Sequence, residues 1–209
     1  SAPAGLFLAT YVNDLFTRQL DSLASNPSMA WRAVFLTGIV PAGVAFLIRL
    51  KVKEPEHWSA PEATPRIAEL FTPELRARTV SGLAMALVAL ITWWSCSAFI
   101  PVIAGYLTSS VSPPPAAADL AGLKVHFQTV GSTCFNLGGL IGTLLTVPAA
   151  TYLGRRAMFL IYFVSGSAAI LLAFGADVEP MTRLYMMFFV GLTVFGVFGS
   201  FTFYLPELF

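Results

Sequence analysis

The chain has 209 residues, of which 56% are hydrophobic and 11% are charged, and its formal net charge is +1. Soluble domains have roughly 25% charged residues, so the composition excludes an ordinary soluble domain, and the near-neutral charge argues against a nucleic-acid partner. The cysteines, Cys96 and Cys134, both fall in apolar stretches and are predicted to be packing residues rather than a disulfide framework.

Long runs without charge follow one another along the chain. A membrane-spanning helix needs about 20 mostly apolar residues, and four of the five runs reach that length, while the first does so with its interfacial ends. Together with an apolar N-terminal stretch, they predict six helices, at about 1–20, 30–50, 78–108, 127–150, 157–176 and 183–205. The predicted fold class is all-α, a polytopic membrane protein.

The basic residues between these helices are distributed unevenly across the membrane. Eight lie on one side, concentrated near residues 49–78 and at 155–156, and four lie on the other. Because cytoplasmic loops are enriched in Lys and Arg, we predict that residues 51–77 and 151–156 are cytoplasmic in a multi-pass protein of the cell (plasma or inner) membrane. Residues 51–77 mix acids, bases and four prolines, which is typical of a linker.

Three stretches resemble the major facilitator superfamily of transporters. The "GRR" at 154–156 resembles the signature loop G-x-x-x-D-R/K-x-G-R-R/K, which joins two helices in each half. "WRAVFLTGIVPAGVAFLIRLKVKEPEHW", residues 31–58, resembles the sixth helix and the following run of sugar porters and organic-acid symporters. "FTFYLPELF", residues 201–209, resembles the end of the tenth helix in the same branch.

The resemblance implies an internal piece, helices five to ten, of a twelve-helix fold made of two six-helix bundles. Residues 1–50 would be the last two helices of the N-terminal bundle, 51–77 the cytoplasmic linker, and 78–209 the first four helices of the C-terminal bundle. The implied function is secondary active transport of a small organic solute, such as a sugar, a carboxylate or a similar metabolite, by alternating access, with protons as a candidate coupling ion. The implied partners are the lipid bilayer and the solute, and we expect a monomer.

Two alternatives stay open. One is a non-transporting sensor or scaffold of the same fold, and the other is a membrane-embedded enzyme. The sequence contains no HExxH, GxSxG or phosphate-binding loop, and His57 and His126 are predicted on opposite sides of the membrane, so the enzyme is the less favoured alternative. We expect no catalytic residue, no metal and no cofactor.

The signature loop departs from the family pattern at Thr151 and Tyr152, where an acid and a base are usual. The resemblance implies a cytoplasmic charge relay, a gate, with Arg155, Arg156, Glu207 and Glu54 as its members here. We predict a contact between Glu207 and one of the two arginines, because a cation nearby would stabilise a carboxylate at the membrane edge. The alternative is that the arginines only determine topology.

Solute is expected near the membrane midplane, so candidate residues are polar or aromatic and lie in the middle of a span. They are Trp93, Trp94, Ser97, Gln128, Phe135 and Asn136. Adjacent helical residues point about 100° apart, so at most one tryptophan faces a cavity, and Pro101 predicts a helix kink. Packing is the alternative for the tryptophans, and an interhelical hydrogen bond is the alternative for Asn136.

Other spaced residues have structural interpretations. Gly138 and Gly142 form a GxxxG pattern and are predicted to let another helix approach closely. The span interiors of helices seven to ten contain no titratable carboxylate, so for proton-driven transport the coupling carboxylate is expected in the first four helices of the implied fold. Asp14 and Arg18, four residues apart, are predicted to form a structural ion pair.

Overall fold

A computed structural model of the chain describes residues 2–20, 25–51, 67–111 and 116–205, without the side chains of residues 2, 18, 19, 27, 117 and 118. The regular structure in these ranges is helical throughout, with no strand. The helices are α1 (Ala2–Asp14), α2 (Pro27–Thr37), α3 (Ile39–Lys51), α4 (Arg76–Ala98), α5 (Ile100–Ser109), α6 (Ala117–Leu153), α7 (Arg155–Gly175) and α8 (Pro180–Tyr204). A π-helical turn, Leu15–Gln19, continues α1, and a short 3-10 helix spans Ile67–Phe71. The predicted all-α class is confirmed.

Five helical stretches of the described chain are long and apolar enough to cross a membrane. They are Ser28–Lys51, Arg76–Ser109, Asp119–Leu153, Arg155–Gly175 and Pro180–Tyr204, and they match five of the six predicted helices. The remaining prediction, 1–20, corresponds to α1 and its π-helical turn.

Helix α6 begins ten residues earlier than the sequence pattern predicts. The prediction started after the last charged residue, whereas Asp119 and Lys124 lie inside the helix on exposed positions. With 37 residues, α6 is about 55 Å long at 1.5 Å per residue, which exceeds the hydrocarbon thickness of about 30 Å. Its charged first turns can therefore extend beyond the lipid.

Two of the five spans are interrupted close to a proline. The span containing α2 and α3 is broken at Gly38, three residues before Pro41. The span containing α4 and α5 is broken at Phe99, two residues before Pro101, where the sequence predicts a kink. Proline lacks the N–H that would bond four residues back, and its ring crowds that carbonyl. Pro148, by contrast, lies inside α6 without a break.

Two compact units make up the chain. One consists of Ser1–Thr10 with Ala77–Phe209, and the other consists of Tyr11–Arg76. In the second unit, the Trp31 ring packs edge-on against Phe35 with centroids 6.0 Å apart, and the Arg32 guanidinium lies 5.2 Å above the Trp31 ring. Helix α3 has no buried residue. Its large apolar side chains are exposed, as expected of a surface that faces lipid or other helices.

In the first unit, α6 and α8 pack backbone to backbone. A methyl group added to Gly138 would overlap the Phe188 carbonyl, and one added to Gly142 would overlap the Leu192 carbonyl. Gly191 on α8 approaches the α6 backbone in the same way. Because both partners advance by four residues together, the two helices run parallel and pack along matching rows.

A cluster of hydroxyl groups joins α7 to the same pair of helices. Tyr162 of α7 donates its phenolic proton to the Gly142 carbonyl at 2.9 Å. The Thr146 hydroxyl lies 2.9 Å from the Gly142 carbonyl and 3.0 Å from the Gly196 carbonyl of α8, so its single proton can serve either acceptor. The Tyr162 ring covers Gly196, leaving no room for a side chain there. These hydrogen bonds thus hold α6, α7 and α8 together around Thr146 and Tyr162.

The glycine contact predicts the effect of adding a single methyl group. Gly142→Ala should lower the free energy of unfolding by about 1–3 kcal/mol, because overpacking forces the two backbones apart. Gly122→Ala is the matched control on the same helix, since a methyl group there meets no atom within 4 Å. Denaturant unfolding in detergent measures both, and equal stability of the two variants would contradict the close contact.

Candidate functional site

Four aromatic side chains from three helices meet inside the first unit. We call Trp93 of α4, Phe135 of α6, and Phe195 and Phe198 of α8 the aromatic cluster. The Trp93 ring lies 5.8 Å from Phe195 and 5.9 Å from Phe198, and Phe135 lies 5.3 Å from Phe195. These are the edge-on and tilted arrangements that aromatic rings prefer. The cluster therefore joins α4 to the α6–α8 pair.

The two adjacent tryptophans have different surroundings. Trp93 is half-buried against the other rings of the aromatic cluster, whereas Trp94 is 57% exposed. Their rings are perpendicular, with centroids 4.9 Å apart. One tryptophan thus faces the bundle and the other faces outward, as the 100° step between neighbouring helical residues requires.

The indole nitrogen of Trp93 is a buried donor that lacks a hydrogen-bond acceptor among the described residues. Leaving such a donor unpaired costs about 1–3 kcal/mol. The nearby hydroxyl groups of α4 do have acceptors: Ser97 donates to the Trp94 carbonyl at 3.4 Å, and Thr92 donates to the Val88 carbonyl at 2.8 Å. The described residues thus leave the indole N–H without an acceptor.

Asn136 is partnered. It is 6% exposed, and its amide donates to the Thr10 hydroxyl at 3.2 Å, which joins α6 to α1. The interhelical bond that the sequence left as an alternative is thus present. Gln128 is half-buried and lies eight residues before Asn136, about two turns along α6. The structure places Trp93 and Phe135 together in the aromatic cluster but does not include Gln128 in it.

A small groove lies in the first unit. Its volume is about 220 Å³, and its walls come from α4, α7 and α8. Typical ligand pockets are larger, about 300–1,000 Å³. Thr92 and Val194, which directly neighbour Trp93 and Phe195 in sequence, are among its lining residues. None of the four residues of the aromatic cluster is among them.

The signature-like loop is a one-residue connection between two helices. Gly154 has φ 80° and ψ 156°, a region that essentially only glycine adopts. Thr151 and Tyr152 still belong to α6, and Arg155 and Arg156 form the exposed first turn of α7.

Cations are disfavoured at a helix N-terminus by the macrodipole. An acidic partner would therefore stabilise Arg155 and Arg156 in the first turn of α7. The predicted partners, Glu54 and Glu207, lie outside the described residues, so the pairing stays a prediction. The Asp14–Arg18 pair also stays a prediction, because the Arg18 side chain is outside the described part.

Sequence reasoning missed three polar contributors. Arg183, in the first turn of α8, donates to the Phe174 carbonyl at 3.3 Å and to the Ala176 carbonyl at 2.8 Å, and so caps the end of α7. Thr10 and Tyr162 bond across helices. No local signal separates them from other isolated hydroxyl residues in apolar runs, because their partners are distant in sequence.

Among the described residues, no group of three His, Cys, Asp or Glu side chains is placed to hold a metal.

The chain is similar to one curated protein of Haemophilus influenzae, named "Putative metabolite transport protein". The two are 24% identical over 182 residues, which cover 84% of this chain and 42% of that protein. The chain thus spans less than half the length of this relative. No family model and no solved structure matches the chain.

The backbone of the α6–α7 connection predicts a strict requirement for glycine. Gly154→Ala should destabilise the protein by about 1–3 kcal/mol, because an L side chain is strained at this φ and ψ. Gly175→Ala is the control, since that glycine also has open space around it but no positive φ. Thermal unfolding in detergent compares the two, and a stable Gly154→Ala variant would show that the connection relaxes.

Proposed function

We propose that the chain is part of a major facilitator transporter, which moves a small organic solute across a membrane by secondary active transport with alternating access. The five span-capable helices and a relative named as a metabolite transport protein support transport. In this proposal, residues 51–77 are the cytoplasmic linker between two bundles, and residues 151–156 form a cytoplasmic gate loop. The relative's name also favours a non-enzymatic role.

The observation that supports solute binding most directly is the buried indole N–H of Trp93. Nearly all buried polar groups in proteins have a hydrogen-bond partner, and this unpaired donor belongs to the aromatic cluster. Ligand sites typically combine apolar and aromatic walls with a few polar groups. A solute oxygen accepting from Trp93 would complete the hydrogen bond.

The charge distribution favours a neutral solute. The run containing Trp93, residues 80–118, and the run containing Asn136, residues 127–154, contain no Asp, Glu, Lys or Arg. A carboxylate taken out of water without a counter-charge is strongly disfavoured. An uncharged, oxygen-rich metabolite such as a sugar therefore suits these helices better than an organic acid, which would need a cation from elsewhere in the protein or a coupled proton.

Counterflow tests the proposed function. The full-length protein in proteoliposomes is loaded with unlabelled sugars or organic acids, and uptake of the labelled compound is followed with and without a pH gradient. We expect saturable counterflow, with a neutral sugar preferred. The absence of saturable flux for every compound would favour the sensor or scaffold alternative instead.

Trp93 and Trp94 provide a matched pair of variants. Trp93→Phe keeps the aromatic ring but removes the N–H, and we expect it to raise the half-saturation concentration about ten-fold, as the loss of one hydrogen bond would. Trp94→Phe should leave it unchanged, because that ring is exposed. If Trp93→Phe changed only stability and not half-saturation, Trp93 would be a packing residue.

The proposed gate predicts a charge-swap rescue. Glu207→Arg should reduce the transport rate, because it places a third cation near Arg155 and Arg156. Combining it with Arg155→Glu or Arg156→Glu should restore part of the rate, because the opposite charges are then paired again. Counterflow rates of the single and double variants measure this. A double variant as slow as the slower single variant would indicate that these arginines only determine topology.

A further inference from the structure

Residues 3–10 of α1, which belong to the first unit, bury one narrow face. Pro3 is buried, and Leu6, Phe7 and Thr10 are half-buried, whereas the residues between them are exposed. The spacing of three, one and three residues is that of a single helical stripe. Thr10 is the only residue of this stripe with a polar side chain. The face is thus apolar except for one hydroxyl group.

This stripe covers the region of the aromatic cluster. Leu6 packs against the same buried core that Trp93, Cys96 and Cys134 pack against, and that core includes Phe135 and Phe195. One turn after Leu6, Thr10 accepts the hydrogen bond from Asn136, at 3.2 Å. Helix α1 and Trp93 therefore pack against the same core.

Breaking the bond between Thr10 and Asn136 affects its two partners differently. The Thr10 hydroxyl also donates to the Leu6 carbonyl of its own helix at 2.9 Å, so it remains hydrogen-bonded if α1 moves away. The Asn136 amide is 6% exposed and would lose the acceptor it now uses. A buried donor without an acceptor is costly, so separation needs a replacement acceptor at Asn136.

We propose that the Asn136 amide exchanges Thr10 for an oxygen of the solute, so that α1 closes over the aromatic cluster until an acceptor-bearing solute arrives. This proposal rests on the proposed function and adds the class of solute. The exchange selects a solute that presents an acceptor oxygen to the Asn136 amide. A ligand shifts an equilibrium by binding one state more tightly, and here the solute favours the state in which α1 is released.

The position of α1 can be followed without knowing the solute. Cys134, two residues before Asn136, is half-buried and becomes the sole thiol when every other cysteine of the full-length protein, including Cys96, is replaced by serine. In that background, the protein in proteoliposomes is labelled with N-ethylmaleimide. Thr10→Val should increase the labelling rate of Cys134 about three-fold, as the loss of an average interhelical hydrogen bond would.

Matched variants separate this bond from general loosening. Thr10→Ser should return the rate toward the unsubstituted value, because it restores the hydroxyl. Leu8→Ala, on the exposed face of α1, should have no effect. The double variant Thr10→Val with Asn136→Ala should label no faster than the faster single variant, since both remove the same bond. A Thr10→Val rate equal to that of the parent, or a double effect equal to the product of the single effects, would overturn the closure by α1.

The exchange itself predicts opposite signs in transport. For the compound with the fastest counterflow, Thr10→Val should lower the half-saturation concentration because Asn136 is released, whereas Asn136→Ala should raise it because a solute contact is lost. Changes of the same sign, or no change in either variant, would overturn the exchange. Absence of any counterflow would overturn the proposed function and the solute part of this inference, while the labelling result would still decide whether α1 closes over the site.

Discussion

Hydrocarbon contains no water, so every polar group in a membrane span must find its partner within the protein. The described helices satisfy this requirement mostly locally, since hydroxyl groups such as Thr143 and Thr193 donate to carbonyls of their own helix. Asn136 cannot do so and bonds to Thr10 on α1. The indole of Trp93 has no acceptor among the described residues. The same requirement thus explains a helix contact and indicates where a solute could bind.

Close packing between helices is the second constraint on this fold, after the pairing of polar groups. Between apolar helices in lipid there is little hydrophobic driving force, so association depends on van der Waals contact and interhelical hydrogen bonds. Gly138, Gly142 and Gly191 allow α6 and α8 to touch along their backbones, and the Thr146–Tyr162 hydroxyl cluster adds α7. Helices α6, α7 and α8 therefore form the centre of the first unit, and the interrupted α4–α5 span and residues 3–10 of α1 pack around them.

Much of this arrangement follows from local sequence patterns. Hydropathy and length predict the helices, and a GxxxG pattern at Gly138 and Gly142 identifies the surface of closest approach. The early start of α6 escaped prediction because a helix can extend past the lipid with charged residues on its exposed side. The break at Gly38 escaped it because a proline in an apolar run does not always interrupt a helix, as Pro148 in α6 shows. Partner choice lies beyond local patterns: Thr10 and Asn136 are 126 residues apart, and only helix rotation distinguishes Trp93 from Trp94.

The proposed contact between Trp93 and the transported solute can be measured directly. In a full-length protein in which every tryptophan except Trp93 is replaced by phenylalanine, Trp31, Trp58 and Trp94 among them, Trp93 is the source of indole fluorescence. Titration with a compound that shows counterflow should change the Trp93 emission, with a midpoint equal to the half-saturation concentration for transport. Saturating amounts of a transported compound that leave the emission of Trp93 unchanged would contradict the account.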